Sequence, residues 1–413
     1  MRFRAFPRWA ALIFLGVFLL LAQACASAAP NTDVVGTEER TGDADWSTAA
    51  PMATVVAAAE PREPTTTLPA TTTSTTTTTP PPTAEECAAE IALELRVGQL
   101  MFPLVTQSEM ATAASLAERG LIGGVVVLGS PTASIASDIA QLQQRAQLGQ
   151  LIIAVDEEGG RVQRLAPLTS TLPSASSVAQ NQTVEQAREL ARSHAVAIGE
   201  LGFTMNLAPV VDLDNGGFIR SRSFGAEPAV VVEYGFATAD GILDAGLTPV
   251  VKHFPGHGRG TDSHTGLPTL PTLDVLRGSD LVPFVEAAER GDLPIMIGHL
   301  VVPDLTNGLP ATLSPEAIDG LLRTELGFDG LVMTDAFNMD AIAATTSNAE
   351  AAKLSIAAGV DLVMLGDLSA VEGTVAEVVA AVEAGEITDL SISESFVRVM
   401  DARGLHPGGC SST

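Results

Sequence analysis

Positive charge is scarce in this chain: 22 lysines and arginines stand against 49 aspartates and glutamates, a net charge of −27. Phosphate backbones are bound by clustered cations, so the balance argues against a nucleic-acid partner. Long apolar runs are missing too. The N-terminal apolar run, residues 9–22, is short of the ~20 residues that cross a bilayer. No Gly-x-Gly-x-x-Gly follows an early strand, which leaves a dinucleotide-binding doubly wound sheet without support. Cysteine is rare, at 25, 87 and 410 alone, and histidine numbers only six.

What is present begins with an address. Arg2, Arg4 and Arg8 lead into the run 9–22, followed by the small-residue stretch AQACASAAP. Residues 1–25 therefore read as an export signal. Cys25, preceded by Leu21, Ala22, Gln23 and Ala24, sits where a lipoprotein cysteine is acylated, which would anchor the protein to the membrane of the cell envelope. Plain secretion after a cut at small residues is the other reading. Residues 26–84 follow as a disordered linker, because PTTTLPATTTSTTTTTPPPT (64–83) offers almost nothing to bury. With Cys25 assigned to the anchor, Cys87 and Cys410 bracket the folded region 85–410. In an oxidising compartment they are either one disulfide joining its ends or two thiols.

The chain is 46% hydrophobic, enough for one large core. Apolar, β-branched runs occur at residues 100–105, 123–129, 151–156, 203–212, 247–254, 294–303, 331–337 and 361–366. Ala-, Glu- and Leu-rich stretches with helical character lie between most of them. About eight such strand and helix units predict an α/β fold, a single-domain (β/α)8 TIM-type barrel.

Polar residues fall at the ends of these runs. Asp156, Asp212, Lys252, His253, His299 and Asp335 each stand at or just past the C-terminal end of an apolar strand, the edge that carries the site in a barrel. In KHFPGHGRGTDSH (252–264), Pro255, Gly256, Gly258 and Gly260 forbid the helix that would align His253 and His257 as a metal pair. A strand end bearing Lys252 and His253 remains, then a glycine-rich loop ending in Asp262, Ser263 and His264. A carboxylate two residues before an imidazole can hold its tautomer and raise its basicity, making a proton-transfer pair. A solvated loop with incidental histidines is the competing reading. Asp335 closes the apolar run GLVMT at the mouth of the strands, well placed to attack an electrophilic carbon.

LLRTELGFDGLVMTDAFN (321–338) resembles the signature of family 3 glycoside hydrolases, in which the aspartate after the apolar triplet is the nucleophile. The resemblance thus implies that role for Asp335. KHFPGHG followed by DSH is similar to the β-N-acetylhexosaminidase, NagZ-like branch of that family, whose acid/base is a loop histidine backed by an aspartate, here His264 and Asp262. DEEGGRVQR resembles the sugar-binding element of that branch, which implies that Asp156 and Arg164 contact the sugar, and the likeness of RSFG and KH implies the same for Arg222, Lys252 and His253. The likeness extends from VGQL at 97 to the strand near 366. Two positions depart from it: the 258–262 segment is one residue shorter than usual, which bears on the reach of His264, and Ala336 and Phe337 follow the nucleophile where many relatives carry Asp and Leu or Met.

The resemblance implies a retaining, exo-acting β-N-acetylhexosaminidase that needs no metal or organic cofactor. An exported enzyme of this kind would release terminal β-linked N-acetylglucosamine from cell-wall glycans or muropeptides, and a monomer is expected. Three rivals stand beside this reading: a phosphorylase that delivers the sugar to phosphate, a β-glucosidase-like hydrolase, and a silent glycan-binding surface protein.

Overall fold

The computed structural model describes residues 82–405. The segment read as an export signal, Cys25, nearly all of the segment read as a linker, and Cys410 lie outside the described residues. Cys87, for which a bridge to Cys410 is one of the two readings, is buried in the first helix, Ala84–Ala89. That helix begins with a capping box, the Thr83 side chain accepting from the Glu86 main chain while Glu86 reaches back. Regular structure thus starts one residue before the predicted boundary at 85.

Every one of the eight apolar runs contains parallel strand or bridge. Strands β1 (Leu104–Thr106), β2 (Gly124–Leu128) and β3 (Ile152–Val155) pair in order. A short antiparallel hairpin follows, β4 (Glu157–Gly159) with β5 (Val162–Gln163). The first sheet continues through β6 (Met205–Asn206) to β7 (Thr248–Pro249). A second sheet holds β8 (Val251–Phe254), β9 (Ile295–Ile297) and β10 (Val332–Thr334), again parallel. Single bridges continue the pairing at the sheet edges: Val210 with Lys252, Leu362 with Met333 and Val363 with Met101. The strands are buried on both faces, which is why they read as unbroken apolar runs rather than as alternation.

Several runs are broken where the backbone loses a donor or turns. In 203–212, regular pairing stops after Asn206, and the Ala208–Pro209 peptide is cis. In 100–105, Pro103 separates the Met101 bridge from β1.

Amphipathic helices cover the sheets. Val184–Glu200 opens on a Thr183–Gln186 capping box, and Pro228–Asp244 opens on a proline at its first turn. These two pack so closely that a Cβ on Gly241 would sit 2.2 Å from the Arg188 carbonyl, so only glycine fits there. One apolar cluster runs from Val97 to Val399 and forms the core. Near the N-terminal ends of the strands, buried Asp361 is neutralised by Arg323 (2.7 Å) and Arg398 (3.2 Å). Arg323, the basic residue of the 321–338 signature, is therefore a structural ion partner at the end of the strands away from Asp335.

Candidate active site

The loops leaving the C-terminal ends of the strands surround a cavity of about 420 Å³. Seven of the eight residues that the family resemblance assigns to the site line it: Asp156, Arg164, Arg222, Lys252, His253, His264 and Asp335. The eighth, Asp262, holds His264.

The charged floor is built by alternation. Asp156 follows β3, and Glu158, two residues on, turns to the same side, while Glu157 between them points inward. There Glu157 accepts from the main-chain N–H groups of Arg164 and Leu165 and meets His194 at 2.8 Å, which fixes the 156–165 hairpin. Lys252 Nζ reaches Asp156 Oδ1 and Glu158 Oε1, each at 2.8 Å. Arg222 grips Glu158 with two parallel hydrogen bonds of 2.7 and 2.8 Å, the fork geometry that suits guanidinium. Arg164 stands 4.0 Å from Asp156.

Lys252, Glu158 and Arg222 keep one another ionised. Burial works against the Lys252 ammonium, yet Asp156 and Glu158 hold it above its ordinary range. Burial likewise opposes the Glu158 carboxylate, and Lys252 and Arg222 hold it far below the usual range. The sequence reading missed Glu158. Its signal was available, since a residue two places beyond Asp156 shares its side of an extended chain.

His253, at the end of β8, is set by a buried partner. Asp212 Oδ2 takes His253 Nδ1 at 2.7 Å, and its Oδ1 accepts from the main-chain N–H of His253 (3.1 Å) and of His257 (2.6 Å). Asp212, one of the six strand-end residues, is thus a buried orienting group; its own burial resists ionisation but His253 holds its carboxyl low.

Asp335 follows β10, with its main-chain N–H on the Ile297 carbonyl at 2.9 Å. Its Oδ1 accepts from the N–H of Ala336 at 2.8 Å. Burial alone would push this carboxyl up, but His253, His299, the Ala336 N–H and Lys252 hold it below the usual range. It is therefore ionised at neutral pH.

The 255–272 loop crosses above. It is not helical, as its prolines and glycines require, apart from a 3-10 turn at His257–Arg259. The loop is fastened to its neighbours by main-chain bonds from Gly217 to the Gly258 carbonyl and from Phe218 to Gly260. Gly217 is obligatory there: a Cβ would lie 2.6 Å from both carbonyl oxygens. At the far end, Asp262 Oδ1 accepts from Nδ1 of His264 (2.8 Å) and from its main-chain N–H (3.0 Å). The His264 side chain is 62% exposed. Ser263 between them is buried, its hydroxyl 3.2 Å from His257 Nε2 and its carbonyl 3.2 Å from the Ala341 N–H. Phe218, Arg161 and Asn338 complete the wall, and Arg161 lies over the Phe218 ring at 4.8 Å. None of these three was singled out in the sequence; they come from loops without a strand-end signal.

Among the described residues, no group of three or more His, Cys, Asp or Glu side chains is placed to share a metal ion. No helix among them is long and apolar enough to cross a membrane.

An ionised carboxylate, an imidazole backed by aspartate and a rigid charged floor able to bind hydroxyls are together the equipment of a glycosidase. The comparisons with known proteins agree. The glycosyl hydrolase family 3 N terminal domain matches residues 92–402. The beta-hexosaminidase LpqI of Mycobacterium tuberculosis is 40% identical over 326 residues, covering 76% of this chain and 83% of that protein. The solved structure of M. tuberculosis LpqI aligns with a TM-score of 0.74 at 37% identity, over 78% of this chain and 97% of that one. A family 3 beta-N-acetylglucosaminidase from Paenibacillus sp. aligns with a TM-score of 0.71 at 35% identity, over 78% of this chain and 64% of that one. The chain belongs to glycosyl hydrolase family 3, and it is a glycoside hydrolase.

Proposed function

We propose that the protein is a retaining, exo-acting β-N-acetylhexosaminidase. One observation carries the reading: Asp335 and His264, the latter fixed by Asp262, line the same cavity as the Asp156, Glu158, Arg164, Arg222 and Lys252 charge cluster. The relatives named beta-hexosaminidase and beta-N-acetylglucosaminidase support the sugar.

In this account the cluster grips the hydroxyls of a terminal N-acetylglucosamine and sets its C1 against Asp335. Oδ1 already accepts from Ala336, so Oδ2 forms the bond to C1 as the bond to the leaving oxygen breaks. His264 Nε2 delivers a proton to that oxygen, with Asp262 stabilising the imidazolium. Water, losing its proton to the now neutral His264, then attacks C1 and frees Asp335, so the two inversions give net retention.

The proposal includes closure of the two parallel sheets into a (β/α)8 barrel, supported by the bridges that join Lys252 to Val210, Met333 to Leu362 and Met101 to Val363. It also includes export, an acylated Cys25 and a Cys87–Cys410 bridge, supported by the sequence of residues 1–25 and the spacing of the cysteines. On that location, cell-wall glycans are the substrates.

The test is turnover of an aryl β-N-acetylglucosaminide followed by proton NMR in phosphate buffer. The first-formed product should be the β anomer of the free sugar. An α-anomeric first product rejects retention, a sugar 1-phosphate identifies a phosphorylase, and no turnover removes the hexosaminidase reading.

A further inference from the structure

His299 lies two residues beyond β9 and is fully buried, with no place on the cavity wall. Both ring nitrogens are engaged: Nε2 lies 3.0 Å from the Ala336 carbonyl oxygen and Nδ1 lies 2.9 Å from the Thr312 hydroxyl. A carbonyl can only accept, so Nε2 carries the proton. The unprotonated Nδ1 then accepts the Thr312 O–H. Thr312 is itself buried, and its carbonyl receives the Ser355 hydroxyl at 2.8 Å.

Ala336 connects this buried ring to the site. Its carbonyl accepts from His299 and from the Met339 N–H (3.2 Å), while its N–H donates to Asp335 Oδ1 (2.8 Å). The residues on either side are tied to neighbouring strands, Asp335 N–H to Ile297 and Phe337 N–H to Met364. With its flanks fixed, the main chain at Ala336 holds one carboxylate oxygen of Asp335 in a hydrogen bond and leaves the other free of that contact.

We propose that His299 is a positioning residue for glycosyl transfer: through the Ala336 main chain it keeps Oδ1 of Asp335 occupied and leaves Oδ2 to bond C1. This rests on the reading of Asp335 as nucleophile. Facing the Asp335 carboxylate are Lys252 and His253 from β8, His257 from the loop that follows, His299 from the segment after β9, and the Ala336 N–H. A ring that only filled space would do none of this, because Leu or Phe fills space as well. Burial depresses the basicity of His299, which favours the neutral ring that its Ala336 and Thr312 contacts describe.

The experiment compares full-length protein with His299→Leu, which keeps bulk and removes the donor, and His299→Gln, which returns an N–H near the position of Nε2. Three quantities are read: the rate at which a slow fluorinated N-acetylglucosamine analogue labels Asp335, the acid limb of kcat/KM, and the thermal midpoint. Loss of the donor should slow labelling on the order of a hundredfold, the effect of a small misplacement of a reacting group. It should also move the acid limb to higher pH as the Ala336 N–H leaves the carboxylate, and His299→Gln should recover most of both.

A folded His299→Leu protein that labels at the unaltered rate with an unmoved acid limb overturns the proposal, as does a His299→Gln protein no faster than His299→Leu. If His299→Leu does not fold, Thr312→Val takes its place: it frees the ring to flip tautomer and should shift both readouts in the same direction, and no shift overturns the proposal. Labelling of the unaltered protein somewhere other than Asp335 is a separate result, which removes the nucleophile reading and this proposal with it.

Discussion

Asp262 and His264 form a two-point contact, one carboxylate oxygen receiving both the ring Nδ1 at 2.8 Å and the main-chain N–H at 3.0 Å of the same histidine. The contact fixes the tautomer that places a proton on Nε2 when the ring is charged, and the ring's exposure leaves it free to meet an aglycone.

That arrangement predicts a leaving-group signature. His264→Ala should lower kcat/KM on order of 10²–10⁴-fold for poorly departing alcohols, the usual contribution of a proton donor, and far less for nitrophenyl glycosides. Asp262→Asn should fall in the same direction. Steady-state kinetics on a series of aryl leaving groups checks it, and equal losses across the series contradict the donor role.

The pH profile carries a second prediction. Asp335 acts as a carboxylate, and although burial opposes ionisation, His253, the Ala336 N–H and Lys252 hold its pKa below the ordinary value. kcat/KM should therefore stay level well into the acid range and fall only as pH drops through that depressed pKa. Lys252→Met removes one of the cations, so the limb should move to higher pH whatever happens to the plateau. An unmoved limb would mean that a different group controls it.

Glu158 lies between Arg222 and Lys252, its side chain only 4% exposed. Glu158→Gln leaves two buried cations short of a partner and should cost about 3 kcal/mol, read by urea or guanidinium unfolding at pH 7. Because its folded pKa is depressed, the contribution is complete above the unfolded carboxylate pKa of about 4.3 and is lost as pH falls through the folded value. The gap between the two proteins should narrow on acidification, and a gap that widens contradicts the assignment.

Ser263 ties the loop at two points, its hydroxyl to His257 Nε2 and its carbonyl to the Ala341 N–H. Ser263→Ala removes the first and should speed amide exchange in residues 256–266 while lowering activity chiefly on poor leaving groups, with Ser263→Thr restoring both. Unchanged exchange would show that the hydroxyl does not hold the loop.

Much of this was legible because parallel strands are buried on both faces. Each of the eight apolar runs proved to contain strand or bridge, and polar residues stood out against them at the strand ends. Asp156, Lys252, His253 and Asp335 were found that way. The hairpin and loop residues were harder. Glu158 belongs to a three-residue strand whose charged side chains read as surface until Arg222 and Lys252 are seen against it. Arg161 and Phe218 are brought in by loops whose paths depend on contacts distant in sequence, such as Gly217 on Gly258. Asp212 and His299 were marked by position, but their buried, orienting roles depend on partners at His253 and Ala336 that no local pattern announces. Arg323 went the other way: a motif residue beside the nucleophile in sequence belongs to the opposite end of the strands, beside Asp361.

The most direct test is to incubate the enzyme with a slow fluorinated N-acetylglucosamine analogue, digest it and locate the modified peptide by mass spectrometry. A single glycosyl adduct on Asp335, absent from Asp335→Ala, is the predicted result. An adduct on any other residue, or a productive enzyme that never forms one, contradicts the account.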